Sequence, residues 1–241
     1  MEGSGHGTAG RKKGKGVLLT GGSRGIGRAV VERLARDGAR VTFSYRDGDE
    51  SAASLVQAVA LAGASAWAIR CDHADAECTV EFFDAAEQNS GGLDVVICNA
   101  AVVTTGLIAD TSLEEYDRVM AVNARAPIVC LREAARRLRD GGRVVTISSI
   151  NTVMPGPGIA TYTASKGALE QMTIVAAHEL GSRQITVNIV PPGATDTEML
   201  RSSNSPDAIA GFAEMSPLGR LGKPADVADV IAFSSAPMGG G

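Results

Sequence analysis

Aromatic residues are scarce: there are nine in 241 residues. A core built without them must be filled by Ala, Val, Leu and Ile, as helices packed on a parallel sheet tend to be. No apolar run approaches the ~20 residues of a membrane span. The net charge is only -4. That mild acidity gives neither nucleic acid nor an anionic membrane a reason to bind. The first residues form no apolar stretch of the kind a secretory signal needs. Cysteine is sparse too: Cys71, Cys78, Cys98 and Cys130 form no CxxC pair, and Cys71 with His73 alone does not make a zinc site. Four scattered thiols suit a reducing cytosol. Glycine is the one excess, with 29 residues, but it has no G-X-Y period, which excludes collagen. At 44% hydrophobic the chain is too apolar for disorder. Its length allows one large domain or two small ones.

Strand and helix signals alternate along the chain. Residues 1–15 read as a solvated, Gly-rich tail with a small basic cluster. Strands are predicted at Val17–Leu19, Val41–Tyr45, Ala66–Arg70, Leu93–Cys98, Arg143–Ser148 and Ile185–Val190. Helices are predicted at Ile26–Arg36, Ser51–Leu61, Asp75–Gln88, Ser112–Leu138, Tyr162–Leu180 and Ala225–Ser234, several of them stopped by glycine. VLL, VVIC, VVTIS and ITVNIV are continuous apolar runs, as strands buried on both faces require. The pattern predicts a single α/β domain over 16–241, a doubly wound parallel sheet of the Rossmann type.

The first strand leads into Thr20-Gly21-Gly22-Ser23-Arg24-Gly25-Ile26-Gly27, and a helix follows. Beyond the carboxyl end of a parallel strand, a helix N-terminus offers N–H groups and a positive dipole end to a phosphate. Gly21, Gly25 and Gly27 permit the turn, the close approach of pyrophosphate and tight helix packing. Two other motifs overlap the loop. Gly21 to Gly25 fits the G-x-S-x-G elbow of a serine hydrolase, but His178, the only histidine of use to it, lies in an apolar helix. A P-loop is excluded because Arg28 and Ala29 stand where Lys and Ser/Thr are needed.

The fifth strand ends at Ser148-Ser149, and Tyr162-Thr163-Ala164-Ser165-Lys166 opens a helix thirteen residues later. Tyr162 and Lys166 share one helix face. A tyrosine serves as a general acid or base near neutrality only if its pKa of ~10 is lowered. A neighbouring ammonium favours the phenolate. Ser149, on the ligand side of the sheet, is placed to hold a substrate oxygen beside the phenol.

With these residues in order, the chain resembles the short-chain dehydrogenase/reductase family from about Lys15 to Pro237. The resemblance rests on TGGSRGIG (Thr20–Gly27), Asp72 after the third strand, NAA (Asn99–Ala101), VNA with Asn123, Ser149, YTASK (Tyr162–Lys166), PPGATDT (Pro191–Thr197) and RLGKPADVA (Arg220–Ala228). Its motifs are similar to those of 3-oxoacyl-carrier-protein reductases and polyketide ketoreductases.

The resemblance implies reversible hydride transfer between a nicotinamide and a ketone or secondary alcohol. It implies catalytic roles for Asn123, Ser149, Tyr162 and Lys166, with Asn123 kinking its helix and holding a relay water. The implied cofactor site is Thr20, Gly21, Ser23, Arg24, Gly25, Ile26, Gly27, Tyr45, Arg46, Asp72, Asn99, Ala100, Pro192, Gly193, Thr195 and Thr197, with Tyr162 and Lys166 shared. No metal is implied.

Enzymes that use NAD place a carboxylate at the end of the second strand for the ribose 2′-hydroxyl. Here Tyr45 stands there, Arg46 follows, and Arg24 lies in the glycine loop, which favours the 2′-phosphate of NADPH. Asp47 and Asp49 are the residues that could reverse that preference. An NAD-dependent alcohol dehydrogenase and a non-catalytic dinucleotide sensor are the alternatives, and sensors of this type typically lose the Tyr or Lys. The chain ends where the family usually adds a seventh strand, so the sixth strand is expected at an edge. The substrate is expected to be a small-molecule or carrier-bound ketone, lined by 150–159 and by a lid over 198–215. The protein is expected to be cytoplasmic and a homodimer or homotetramer.

Overall fold

Six strands and nine α-helices alternate in the computed structural model, which describes residues 13–236. The strands are β1 (Gly16–Leu19), β2 (Arg40–Tyr45), β3 (Ser65–Arg70), β4 (Leu93–Cys98), β5 (Leu138–Ile147) and β6 (Thr186–Val190). The helices are α1 (Gly25–Arg36), α2 (Asp49–Leu61), α3 (Ala76–Ser90), α4 (Leu113–Met120), α5 (Ala126–Arg137), α6 (Ala160–Leu180), α7 (Glu198–Ser202), α8 (Pro206–Met215) and α9 (Pro224–Ser234). All strand pairings are parallel, in the order β3-β2-β1-β4-β5-β6. This is the doubly wound sheet predicted from the alternation. Among the described residues β6 is an edge strand, pairing only with β5, and β3 forms the other edge.

The continuous apolar runs are explained by a core on each face. Val17 and Leu19 point to one side of β1, against Val30 and Leu34 of α1 and Leu55 of α2, with Ile231 of α9 on the same core. Leu18 points to the other, where Phe82 and Phe83 of α3, Leu131 of α5 and Leu180 of α6 close over the sheet. A strand packed on both faces has no room for alternating polarity.

Three local features differ from the predicted elements. The helical stretch read from periodicity over Ser112–Leu138 is divided at the place where the resemblance implied a kink: a π-helical turn at Ala121–Arg125, containing Asn123, separates α4 from α5. The second helix then ends at Arg137, and Leu138 already pairs with Leu93, before a register shift that carries the chain past Gly141-Gly142. Third, two of the four thiols expected as scattered are joined. The end of β3 and the first turn of α3 bring Cys71 and Cys78 together as a disulfide, with Cα atoms 5.8 Å apart. Cys98 and Cys130 are buried thiols.

Residues 1–12 of the predicted tail lie outside the described residues. Gly14 N–H donates to Gly38 O at 3.0 Å, and Lys15 pairs with the buried Asp94 at 2.8 Å. Among the described residues no helix is long and apolar enough to cross a membrane, and no cluster of residues could hold a metal.

Candidate active site

The strand order reverses between β1 and β4, so the loops that leave them diverge and open a crevice above their carboxyl ends. The glycine loop fills one side of it. Gly21 and Gly25 have φ of +72° and +54°, a region that side chains rarely enter. A Cβ on Gly27 would lie 2.0 Å from Gly21 O, so only glycine lets α1 pack this close. Thr20 and Ser23 are buried, and Ile26 packs on the core. Arg24 is the N-cap of α1 but makes no side-chain cap, which leaves the first-turn N–H groups to solvent or a ligand.

β4 braces the loop. Thr20 Oγ1 accepts from the Asn99 and Ala100 N–H groups, both at 2.9 Å. Asn99 Nδ2 donates to Thr20 O and Gly21 O at 3.0 and 2.7 Å. From the other side, Gly21 N–H donates to Ser44 Oγ at 2.9 Å. Ser44 in turn meets His73 Nε2 at 2.7 Å, and His73 Nδ1 meets Thr79 Oγ1 at 2.9 Å. Thr79 Oγ1 gives its proton to Asp75 O at 3.2 Å and so accepts from His73 Nδ1–H, which leaves Nε2 of the neutral ring to accept from Ser44 Oγ. Burial lowers the His73 pKa to about 4, which agrees. Both ring nitrogens are thus committed. His178 is exposed on α6. Among the described residues no histidine is left to serve Ser23, and the hydrolase reading falls.

The chemistry-bearing residues converge beside this loop. Ser149 and Lys166 are buried, Asn123 is fully buried, and Tyr162 is half-buried. Lys166 Nζ lies 5.8 Å from the Tyr162 ring centroid and donates to Ile147 O at 2.7 Å. Burial lowers the Lys166 pKa to about 8, opposed by the electrostatic influence of Cys98 and Glu170. Burial pushes the Tyr162 phenol above its ordinary value, and a hydrogen bond from Ser149 partly offsets this. The phenol is therefore not lowered by the protein alone, because desolvation outweighs the Ser149 hydrogen bond.

Asn123 sits in the π turn, which rotates it inward. Its Oδ1 accepts from Val102 N at 2.9 Å, and its Nδ2 donates to Val102 O at 2.8 Å and Ser165 Oγ at 3.1 Å. Ser165 Oγ donates to Tyr162 O at 2.6 Å, which ties the π turn to the head of α6. Nothing in the sequence pattern of Ser165 singled it out.

At the outer end of the crevice, Arg46, Arg70 and Arg118 line an open cavity of about 420 Å³ with Asp47, Asp72, Cys71 and Cys78. Asp47 is taken by Arg46 at 2.5 Å, and Asp49 holds the Tyr45 hydroxyl and raises its pKa. Asp72 accepts from Ala74 N at 3.0 Å and lies 3.4 Å from Arg118. Arg70 was missed in the sequence because it is far from Arg46 in the chain. The parallel register sets it beside Tyr45, where its Nε donates to Arg46 O at 3.3 Å.

The family model described as enoyl-(acyl carrier protein) reductase matches residues 21–237. The chain belongs to the short-chain dehydrogenase/reductase family. The family is one of oxidoreductases that bind a nicotinamide dinucleotide. Versicolorin reductase of Emericella nidulans is 37% identical over 235 residues, covering 92% of this chain and 89% of that one. A short-chain dehydrogenase from Burkholderia cenocepacia, solved in complex with NADP, is 41% identical, with a TM-score of 0.89 over 94% of this chain and 92% of that one. The angucycline C-6 ketoreductase LanV, solved with NADP, is 36% identical, with a TM-score of 0.89 over 94% and 90%.

In this short-chain dehydrogenase/reductase the glycine cradle and uncapped α1 suit a pyrophosphate, and the arginine-lined cavity suits the adenosine end. The remaining predicted positions lie on the loop after β6. Pro192 O accepts from Ile150 N at 3.0 Å, which links that loop to the one carrying Ser149. A Cβ on Gly193 would meet no atom within 4 Å, so this residue borders open space. Thr195 Oγ1 donates to Gly193 O at 3.0 Å, and Thr197 caps α7 while its methyl faces Gly25. Arg24 pairs with Glu198 at 3.0 Å, joining the glycine loop to α7. The segments after β5 and β6 carry exposed apolar residues: Val153 and Met154 after β5, Met199 and Met215 on α7 and α8.

Proposed function

We propose that the protein is an NADPH-dependent carbonyl reductase acting on a 3-oxoacyl thioester or a polyketide-type ketone. The observation that carries this reading is the convergence of Ser149, Tyr162 and Lys166 beside the glycine cradle. Ser149 would hold the carbonyl oxygen and Tyr162 would donate the proton to it. Lys166 would hold the nicotinamide ribose hydroxyls and restore the tyrosine's proton. When bound, the nicotinamide supplies the hydride and, once oxidised, a positive ring that favours the phenolate. The burial that raises Tyr162 would then be offset. The Asn123 carboxamide is engaged by Val102 and Ser165. The relay water is therefore assigned to the backbone of the π turn.

NADPH is favoured over NADH because the carboxylates that could bind a 2′-hydroxyl are occupied: Asp47 by Arg46, Asp49 by Tyr45. Arg70, with Arg46 and Arg24 released from Asp47 and Glu198, would be the cations for a 2′-phosphate. The exposed apolar residues after β5 and β6 fit a ketone of low polarity, and a polyketide-type substrate is supported by the relatives named as versicolorin reductase and angucycline ketoreductase. A homodimer or homotetramer is the assembly this reading carries. An apolar groove between α5 and α6, lined by Ile128, Leu131, Met172 and Val175, is the face for a second copy.

A panel of ketones assayed by loss of NADPH absorbance tests the function, with a 3-oxoacyl thioester and a bicyclic ketone included. Turnover with NADPH should exceed that with NADH at equal concentration. Faster turnover with NADH, or no turnover of any ketone, would overturn the reading.

A further inference from the structure

One face of α6 carries Tyr162, Lys166 and Glu170 at one-turn intervals. Each meets a different residue at the end of β5. Tyr162 is hydrogen-bonded by Ser149. Lys166 Nζ donates to Ile147 O at 2.7 Å. Ser148 Oγ donates to Glu170 Oε1 at 2.5 Å. The same carboxylate oxygen accepts from Thr152 Oγ1 at 2.9 Å, and Thr152 Oγ1 lies 3.0 Å from Ser149 O. Glu170 therefore grips the residue before Ser149 and the turn after it.

We propose that Glu170 is a positioning residue for carbonyl reduction, setting Ser149 through Ser148 and Thr152 and facing Lys166 from one helical turn away. This rests on the reading of Ser149, Tyr162 and Lys166 given above. The reason is geometric first. A short turn that carries a reacting hydroxyl has few contacts of its own, and a displacement of about 1 Å costs up to a hundredfold in rate. One carboxylate oxygen accepting two hydroxyls removes that freedom. The second reason is charge. The groups facing Lys166 are the Cys98 thiol from β4, and the Tyr162 phenol and Glu170 carboxylate from α6. Burial drives the ammonium toward the neutral amine, and Cys98 and then the Glu170 carboxylate oppose it. A neutral amine would neither favour the phenolate nor return its proton.

Glu170→Ala and Glu170→Gln separate the two effects. Glu170→Ala removes both hydroxyl contacts, and kcat for a bicyclic ketone should fall about tenfold or more, with the NADPH dissociation constant within about twofold of the parent. In Glu170→Gln the amide oxygen still accepts both hydroxyls, so kcat near neutral pH should return to within about threefold of the parent. The charge is gone, so the alkaline limb of the kcat profile should move down by about half a pH unit or more.

Lys166 can also be titrated without any substrate. The chain has five lysines, so 13C-labelled lysine Cε resonances are few, and Lys166→Arg assigns the one in the site. Its midpoint should fall by the same amount in Glu170→Gln. Parental kcat in Glu170→Ala, a loss shared equally by NADPH binding, or an unmoved Lys166 midpoint in Glu170→Gln would each overturn the proposal. If Glu170→Ala does not fold, the isosteric Gln variant decides through its titration. A parent enzyme that reduces no ketone but shows the Lys166 shift would sink the functional reading while the Glu170–Lys166 coupling stands. A parent that reduces ketones with no shift in the variant would sink this proposal alone.

Discussion

At Tyr162 two influences compete, and the protein alone does not resolve them toward phenolate. Desolvation raises the phenol, while the Ser149 hydrogen bond lowers it. Under the proposed function the transferred proton comes from this hydroxyl. Tyr162→Phe should lower kcat by about 10²- to 10⁴-fold, the usual worth of a general acid. NADPH binding, followed by fluorescence, should stay within about twofold; retained turnover would show that another group gives the proton. His73 makes a prediction about stability. Its folded pKa is lowered to about 4 from 6.5 because the neutral ring is buried between Ser44 and Thr79. The unfolded chain thus binds the proton first, and the fold loses stability as pH falls from about 6.5 toward 4. Between pH 7 and pH 5 this residue's share of the loss should be about 2 kcal/mol. Urea unfolding of the parent and His73→Gln at both pH values measures it, and an equal pH dependence in the two would refute the assignment. The same residue was legible in the sequence only as a neighbour of Cys71, because its partners come from β2 and α3.

Elements, rather than single residues, account for the shape of the crevice. The glycine loop works because α1 packs down onto β1, and Gly27 is where the two approach most closely. In Gly27→Ala the new methyl would meet Gly21 O at 2.0 Å and Asn99 Nδ2 at 2.7 Å. Both belong to the braced loop and cannot swing aside. Overpacking of this kind costs about 1–3 kcal/mol. The melting temperature should drop, and NADPH affinity should fall more than about tenfold because the first turn of α1 is displaced. An unchanged dissociation constant would mean that this turn does not hold the cofactor. The π turn is the second such element. Its residues, AVNAR, read as ordinary helix by periodicity over Ser112 to Leu138, and only the family resemblance implied a kink at Asn123. The extra residue in the turn is set by Asn123 reaching Val102 across the crevice, a contact between segments 21 residues apart. No local propensity encodes that. Likewise Leu138 leaves the helix because β4 offers it a pairing partner in Leu93.

On the scale of the whole molecule, the sheet order places every candidate residue on one side. The glycine loop, Asn99, Ser149 and the Pro192–Thr197 loop all follow carboxyl ends of strands, and α6 brings Tyr162 and Lys166 over them. The opposite end of the sheet is closed by structural pairs such as Lys15 with Asp94 and Arg139 with Asp94. What is left exposed on the flank is the α5–α6 groove, with Ile128 and Val175 about half exposed. Val175→Asp would bury a charge against the second copy proposed there. Light scattering should show a smaller species than the parent, with unchanged far-ultraviolet circular dichroism; a parent that is already monomeric would remove that interface.

The sequence by itself determined the element alternation, the glycine cradle, and the pairing of Tyr162 with Lys166. The reason is that each rests on contacts within a few residues or on burial that repeats along the chain. Continuous apolar strands, helix-stopping glycines and the i, i+4 spacing are local facts. Only the tertiary structure decided the neighbours that come from distant segments. It set Arg70 beside Tyr45, joined Cys71 to Cys78 across a strand end, locked His73 behind the glycine loop and put Glu170 on the two hydroxyls that flank Ser149. Such contacts are fixed by strand register and helix packing, which depend on the whole core forming at once.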